Sequence, residues 1–598
     1  VYENKYRKQT EDRFIANAYL QINDIGLKGL SFRAQFGKQF AFAKNRNYYP
    51  VYFVTVDQQR SKSSLYENRL DNRYWNTNEY FSYVNTFGKH SINATLGVEA
   101  QKSNSNNMFG TAYDVPEDAD LRYLSMSSNK ENLELGGGAD HNALLSGFFR
   151  INYSYDNRYL FTGTYRADGT SKFKDRWGYF PSFSVGWNVT EESFMKDFTN
   201  KFPLSQLKFR AGWGHVGNQA SAGSFDYLAL MTNGYTAVIG GSQVDGAIQK
   251  KLANSELSWE TSEQYNVGLD FGLFKGALSG NIDYFIRNTN DMILDTPIPI
   301  YAGMWRPKTN AGSVRNSGIE LNLNYTGNIG KDFTFSAGGN ISFIKNKVTS
   351  LGGGEPLYGT YTKTEEGREI ASFFGLQSAG IFKTQEQLDA HVNKDGKAIQ
   401  PNAGLGDVIF VDQNGDGVID DNDRIFLGSA TPDYTYGINL SAAYKGLDLN
   451  LFFQGSQGNK IANYMYSVLY STSMKEWSNS KAMMGRWSPE NPDSNLPRVH
   501  AGDPNQNDRF SNRYVEDGSY FRLKTIQLGY TLPESISKKV FLSKARFYIS
   551  ADNLFTITNY SGFNPEIADL YGNPLNAGVD MATYPTPRVF TIGCNLNF

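Results

Sequence analysis

No uninterrupted apolar stretch in this sequence reaches the ~18 residues that a membrane-crossing helix needs. Cysteine is nearly missing too. The single thiol, Cys594, excludes an internal disulfide framework and reads as a small apolar residue on a strand face. Charge of one sign is lacking: 58 Lys and Arg face 60 Asp and Glu, so there is no basic field for nucleic acid. The five histidines (His90, His141, His215, His391, His500) are scattered and form no H-E-x-x-H. No G-x-S-x-G elbow and no phosphate-binding glycine loop occurs either. Without these constellations the sequence reads as a non-enzyme. No Pro/Ser/Gly tract divides its 598 residues into soluble domains.

What the chain does have is two-residue alternation. In its closing segment Phe590, Ile592, Cys594, Leu596 and Phe598 fall on one side, and Thr591, Asn595 and Asn597 on the other. A strand repeats every two residues, so this pattern places apolar surface on one face and polar surface on the other. A barrel wall in a membrane escapes the hydropathy test because each strand gives lipid only every second side chain, which fits a mean hydropathy of −0.49. Aromatics are abundant, at 38 Tyr and 41 Phe, as interfacial girdles require.

The alternation recurs along the chain. Tyr265, Val267, Leu269, Phe271 and Leu273 alternate, turn at Phe274-Lys275-Gly276, and resume at Leu278, Ile282 and Tyr284. Ile319, Leu321, Leu323 and Tyr325 alternate with Glu320, Asn322 and Asn324, which line the wet side of a wall. The turn Tyr444-Lys445-Gly446 leads into Leu447, Leu449, Leu451 and Phe453. Gly and Asn at such bends supply the positive φ of tight hairpins. Long polar segments intervene, near 44–73, 103–139, 216–258, 289–313, 346–431, 457–513 and 558–586. Short turns alternating with long loops predict an all-β fold, an antiparallel transmembrane β-barrel with periplasmic turns and extracellular loops. About seventeen strands are expected, centred near 18, 37, 80, 96, 148, 162, 184, 210, 266, 283, 322, 338, 439, 451, 525, 550 and 593. The first is followed by a short turn and so runs inward, as does the last. In a barrel of even strand number, an odd number of strands then belongs upstream of this chain.

One segment has metal-ligand spacing. Asp412, Asn414, Asp416, Asp420 and Asp423 hold positions 1, 3, 5, 9 and 12 of a loop with glycine, Gly417, at 6, and the carbonyl of Val418 stands at 7. That is a calcium-loop pattern, with a shorter Asp where Glu usually closes the site and no flanking helices. A Ca²⁺ ion here is expected to stiffen the long 346–431 loop. A second cluster is aromatic: Tyr464, Tyr466, Tyr470, Trp477 and Trp487 lie in one long loop. Flat ring faces stack on sugars, and they equally pack a loop against itself or a partner.

Several motifs carry a family resemblance. Arg166-Ala167-Asp168-Gly169-Thr170-Ser171-Lys172-Phe173 is followed by Arg176-Trp177-Gly178-Tyr179-Phe180-Pro181-Ser182. Asn310-Ala311-Gly312-Ser313-Val314-Arg315-Asn316, Arg486-Trp487-Ser488-Pro489-Glu490-Asn491-Pro492, Val515-Glu516-Asp517-Gly518-Ser519-Tyr520 and Tyr584-Pro585-Thr586-Pro587-Arg588 join them. Together these motifs resemble the SusC/RagA-type TonB-dependent outer-membrane transporters of Bacteroidetes. The resemblance implies a barrel of ~22 strands, about five of them and the plug lying outside this chain. It implies import of bulky nutrients, oligosaccharides first and peptides second. It also implies a SusD-like surface lipoprotein as lid, and energy from TonB with ExbB and ExbD through the plug. A passive porin or structural barrel is the alternative. A wall missing staves leaves sheet edges unpaired in lipid, so the chain is not expected to insert alone.

Overall fold

The computed structural model describes residues 5–56, 58–473, 479–568 and 570–598. Seventeen strands form one sheet in which the paired neighbours run antiparallel. They are β1 (Tyr6–Ile22), β2 (Leu30–Tyr49), β3 (Ser64–Phe87), β4 (His90–Tyr113), β5 (Glu134–Tyr155) and β6 (Tyr159–Thr170). Next come β7 (Trp177–Asn188), β8 (Leu204–Asn218), β9 (Glu260–Leu273), β10 (Leu278–Asp295), β11 (Lys308–Ile329) and β12 (Phe333–Ser350). The last five are β13 (Tyr434–Tyr444), β14 (Leu447–Gln457), β15 (Tyr520–Thr531), β16 (Lys544–Thr558) and β17 (Val589–Asn597). The chain divides into two compact units: Val1–Trp187 with Gly212–Glu263 and Asn290–Ala311, and Asn188–Ala211 with Gln264–Thr289 and Gly312–Phe598.

In the first unit, cross-strand register keeps the two faces chemically apart. One row reads Ile22, Phe32, Phe81, Leu96, Phe149, Tyr165 and Pro181 across β1 to β7. A row on the opposite face reads Gln35, Asn78, Glu99, Ser146 and Asp168. A one-residue slip would exchange these faces, so the pattern fixes the register. At the short-turn end Phe87, His90, Tyr155, Tyr159 and Trp187 form an aromatic row of the kind that marks a membrane interface. The turn between β5 and β6 uses Asp156 and Asn157, both at φ 54°, as hairpin geometry demands.

Parts of two expected loops, 44–73 and 103–139, are strand. β3 and β4 are 24 residues each and take in all of 64–73 and 103–113, while β5 starts at Glu134. A strand of that length runs ~80 Å, well past an apolar band ~25 Å tall. Beyond the band both faces meet water, so the ladder holds without alternation and leaves no apolar signature. Within the segment expected as loop 216–258, Met231–Ile239 and Ser242–Gln249 pair as a separate hairpin.

In the second unit the separation of faces continues over seven strands. Tyr325, Ala337, Leu440, Leu451, Ile526, Ala551 and Phe590 lie in register across β11 to β17. The adjacent row, Thr326, Ser336, Ser441, Asn450, Gln527, Ser550 and Thr591, is polar throughout. Tyr434 and Tyr444 close the apolar face of β13 at its two ends. Ten residue steps separate them, ~34 Å along the strand and ~26 Å after a tilt of about 40°, the height of a membrane band. The β13–β14 turn places Lys445 at φ 47° and Gly446 at φ 89°. Buried apolar clusters sit in the loops of this unit, one around Phe373, Ala462 and Val579 and another around Val408, Phe410 and Trp487.

Candidate substrate-facing loops

Three connections of the second unit fold together: 351–433, 458–519 and 559–588. Lys460–Asn463 pairs antiparallel with Val515–Asp517 and parallel with Val579–Asp580, joining two loops in one small sheet. The third is held by a bridge between Leu376 and Ser511 and by the Thr360 amide donating to Asn576 Oδ1 at 2.7 Å. Arg498 clamps Asp407 bidentately at 2.8 and 2.7 Å, and Asn507 Nδ2 donates to the same carboxylate at 2.9 Å. That geometry compensates a carboxylate otherwise cut off from water.

On this scaffold a six-residue helix, Tyr464–Leu469, carries the aromatic cluster. Asn463 caps it, its side-chain oxygen accepting from the Tyr466 amide at 2.9 Å. The four-residue spacing of Tyr466 and Tyr470 stacks their rings at 4.2 Å and 11°. Tyr464 lies 6.2 Å from Tyr361, whose own ring stacks on Phe510 at 4.2 Å. Tyr361, Tyr464, Ser467, Ser471, Asn479 and Asp508 line a cavity of about 330 Å³. Its acidic corner is ordered: Asp508 accepts from Ser471 Oγ at 2.6 Å and from the Thr472 amide at 2.9 Å. Burial pushes the phenols of Tyr361 and Tyr466 above their ordinary pKa, so both remain neutral donors.

The five aromatic residues expected to act together therefore separate. Tyr464, Tyr466 and Tyr470 are half-buried neighbours on one helix and its end. Trp487 is 9% exposed and packs against Leu376, Ile381, Val408 and Phe410, inside a different cluster. Trp477 lies outside the described residues. Tyr361 and Phe510, which complete the platform, come from distant segments, and nothing local in the sequence marks them.

The 412–423 loop folds as a ladder of side chain to backbone bonds. Gly415 and Gly417, at φ 74° and 85°, bend the chain so that their amides donate to the two oxygens of Asp412 at 2.7 and 2.8 Å. Asp416 accepts from the Val418 amide at 2.9 Å, and Asn414 accepts from the Asp416 amide at 2.9 Å. Asp420 accepts from the Asn422 amide at 2.7 Å. Asp423 is buried, with its carboxylate taking the amides of Gln413 and Asp420, each at 2.8 Å. Among the described residues no three His, Cys, Asp or Glu side chains converge as a metal-holding group. Each carboxylate oxygen nevertheless keeps a free lone pair after its amide contact, and a donor set of oxygens alone suits a hard cation.

The polar face of the wall carries ion pairs that alternation alone did not single out. Arg210 reaches Asp270 at 2.8 Å and Asp283 at 2.9 Å, and Arg546 Nε donates to Asp448 at 2.9 Å. Asn322 and Asn324, expected to line the wet side, border a cavity of about 480 Å³ with Asn281, Asn340 and Asn439. Glu320 accepts from Ser342 Oγ at 3.4 Å on that same side. All are placed by the alternation phase of their strands, which was the usable signal.

Residues 2–554 match the TonB dependent receptor-like, beta-barrel family. The TonB-dependent receptor P3 of Formosa agariphila is 32% identical over 629 residues, covering 100% of this chain and 60% of that protein. TonB-dependent receptor SusC of Bacteroides thetaiotaomicron is 28% identical over 618 residues, covering 100% of this chain and 57% of that protein. The structure of the RagAB peptide transporter superposes with a TM-score of 0.84 at 24% identity, over 100% of this chain and 63% of that chain. The chain thus spans about three fifths of the length of the curated relatives it matches. A wall of two-faced antiparallel strands and a family match over most of its length lead to one conclusion: the chain belongs to the TonB-dependent receptor β-barrel family of the outer membrane.

Proposed function

We propose that the protein imports a bulky nutrient, an oligosaccharide, through the barrel to which this wall belongs. A SusD-like surface lipoprotein closes over the long loops, and TonB with ExbB and ExbD supplies the energy. The observation that supports a sugar is the loop cavity. Tyr464 and Tyr361 offer flat faces, while Asp508, Asn479 and Ser467 offer hydrogen-bonding groups around them. Rings that bind sugars need both, since one face of a pyranose is apolar and its rim carries hydroxyls. A peptide is the second reading. The RagAB structure is described as a peptide transporter, and the same carboxylate and amide groups would receive main-chain N–H and C=O groups.

Growth of a deletion strain on purified polysaccharides and on peptides, with complementation by the wild type and by Tyr464→Ala, tests the reading. Loss of growth on one glycan, unrestored by Tyr464→Ala, is the expected result. Loss confined to peptides selects the second reading. Uptake that persists after TonB is deleted identifies a passive pore and removes the active importer.

We also propose that Asp412, Asn414, Asp416, Asp420 and Asp423, with the Val418 carbonyl, hold Ca²⁺ and thereby stiffen the 351–433 loop. Support comes from the all-oxygen donor set and the tight double-glycine bend. Calorimetry on the intact protein checks it: calcium should bind with measurable heat, and a flat titration ends the proposal.

A further inference from the structure

We propose that the apolar side of the second unit's wall carries a site for a phosphate-bearing lipid headgroup, where β11 and β12 rise past the membrane band. Ile319 and Phe343 are cross-strand partners on that side, and Phe343 faces Tyr434, the ring that closes the band at its long-loop end. Two residues further along the same face Ser317 opposes Lys345, and two beyond that Arg315 opposes Lys347. The face therefore turns from rings to cations within a single step of alternation.

Over this transition opens a cavity of about 1050 Å³. Ile319, Phe343 and Tyr284 line it beside Lys345 and Lys347, with Arg368 and Lys460 contributed by the long loops. Four cations line it against two carboxylates, Glu369 and Asp433. Arg368 and Lys460 reach outside acids only loosely, Glu365 at 3.8 Å and Asp517 at 3.9 Å. Lys345 and Lys347 have no ion-pair partner among the described residues. A lipid uses every part of this arrangement: acyl chains continue along the ring-lined face while the phosphate meets two unpaired ammonium groups. A free anion would gain nothing from Ile319 and Phe343, which is why the occupant is a lipid.

The first unit shows the same chemistry independently. Its apolar face runs up to Phe36, Thr77, Ala100 and Leu145, and the next row on that face is Lys38, Trp75 and Lys102. Cations and an indole at the boundary are what an interface with anionic headgroups selects.

Phosphatidic acid, phosphatidylcholine of the same chains and inorganic phosphate, each titrated into the detergent-solubilised intact protein, test the site by native mass spectrometry. Phosphatidic acid should bind more tightly than phosphatidylcholine. In the double variant Lys345→Gln/Lys347→Gln that affinity should fall roughly thirtyfold, two lysines' worth at an anionic surface. Lys345→Arg/Lys347→Arg should retain it. Unchanged phosphatidic acid binding in the Gln variant overturns the proposal, as does inorganic phosphate competing as well as the lipid. Should the Gln variant fail to assemble, Arg368→Gln/Lys460→Gln replaces it, with a smaller loss expected and no loss overturning the site.

Discussion

Leu440 and Phe373 are both large apolar residues of the second unit, yet Leu440 is 37% exposed in the middle of the wall and Phe373 is 0% exposed in the loops. The wall is built one layer thick. Each strand turns every second side chain outward, so Leu440 sits between Ala337 and Leu451 with nothing over it but the solvent on that side. The loops have no such external solvent of their own kind. They bury Phe373, Ala462 and Val579 against each other as a water-soluble domain does. One chain thus uses two sources of stability: a backbone ladder in lipid for the wall, and side-chain packing in water for the loops. Substitutions should separate the two cleanly.

The largest effect is expected in the loops, at Arg498. Its removal strands Asp407, a carboxylate only 1% exposed, with Asn507 as its remaining side-chain donor. Arg498→Ala should cost about 3–5 kcal/mol of loop stability, the usual penalty for leaving a buried charge unpaired. Limited proteolysis of the intact protein in its membrane should then cut within 351–433 or 458–519 while the wall stays resistant. Cleavage of the wall at the same rate would show that loops and wall unfold together, and the contrast would be lost.

The next effect belongs to the wall. Leu440→Lys puts an ammonium near the middle of the apolar band and should cost about 2–4 kcal/mol. Ser441→Lys, one residue on, points to the polar face, where Asn450 and Ser336 are its neighbours. It should be close to neutral. Heat-modifiability on gels reads both. Equal damage from the two would mean that the faces are not what the register says.

Smaller still is the expected change at the aromatic platform. Tyr464→Ala removes a ring that lines the loop cavity beside Tyr361 and should weaken binding of the proposed glycan by about 1–3 kcal/mol, the range for truncating a contact residue in a well-formed site. Trp487→Phe, in the separate buried cluster, should leave binding intact and lower only loop stability. Binding isotherms on the purified intact protein would distinguish them.

These contrasts also explain what the sequence disclosed. Lipid forces alternation, and hairpins force Gly, Asn or Asp at the bend, so Phe590-to-Phe598 and Tyr444-Lys445-Gly446 could be read by eye. Where lipid stops, so does the signal. Asn104 to Asn107 looked like loop because a strand in water on both faces has no reason to alternate. The loop assembly was harder, since its contacts join remote segments: Tyr361 meets Phe510, and Arg498 meets Asp407. Trp487 shares a loop and a composition with Tyr464, and only packing shows that one ring is structural while the other borders a cavity. The bends of the acidic loop at 412–423 were easier to read because the amide bonds to Asp412, Asp416, Asp420 and Asp423 are local, each reaching no more than ten residues.

The smallest expected effect concerns pH and again divides loops from wall. His391 stands edge-on to Phe382 at 5.4 Å, its Nε2 buried and without a hydrogen-bond partner. Burial holds its pKa below the ordinary histidine value, against the opposing influence of the Gln400 contact and of Asp412. The folded imidazole therefore resists a proton that the unfolded loop accepts near pH 6.5. Its contribution to stability is present above that value and is lost as pH falls toward the lowered folded pKa, at no more than about 1.4 kcal/mol per pH unit. Amide protection across residues 382–400, measured relative to the intrinsic exchange rate at each pH, should fall between pH 7 and pH 5 in the intact protein. In His391→Phe, which keeps a ring but cannot take a proton, that loss of protection should vanish. The strand amides of β13 and β14 should show no histidine-dependent change in either protein, because no histidine lies on those strands.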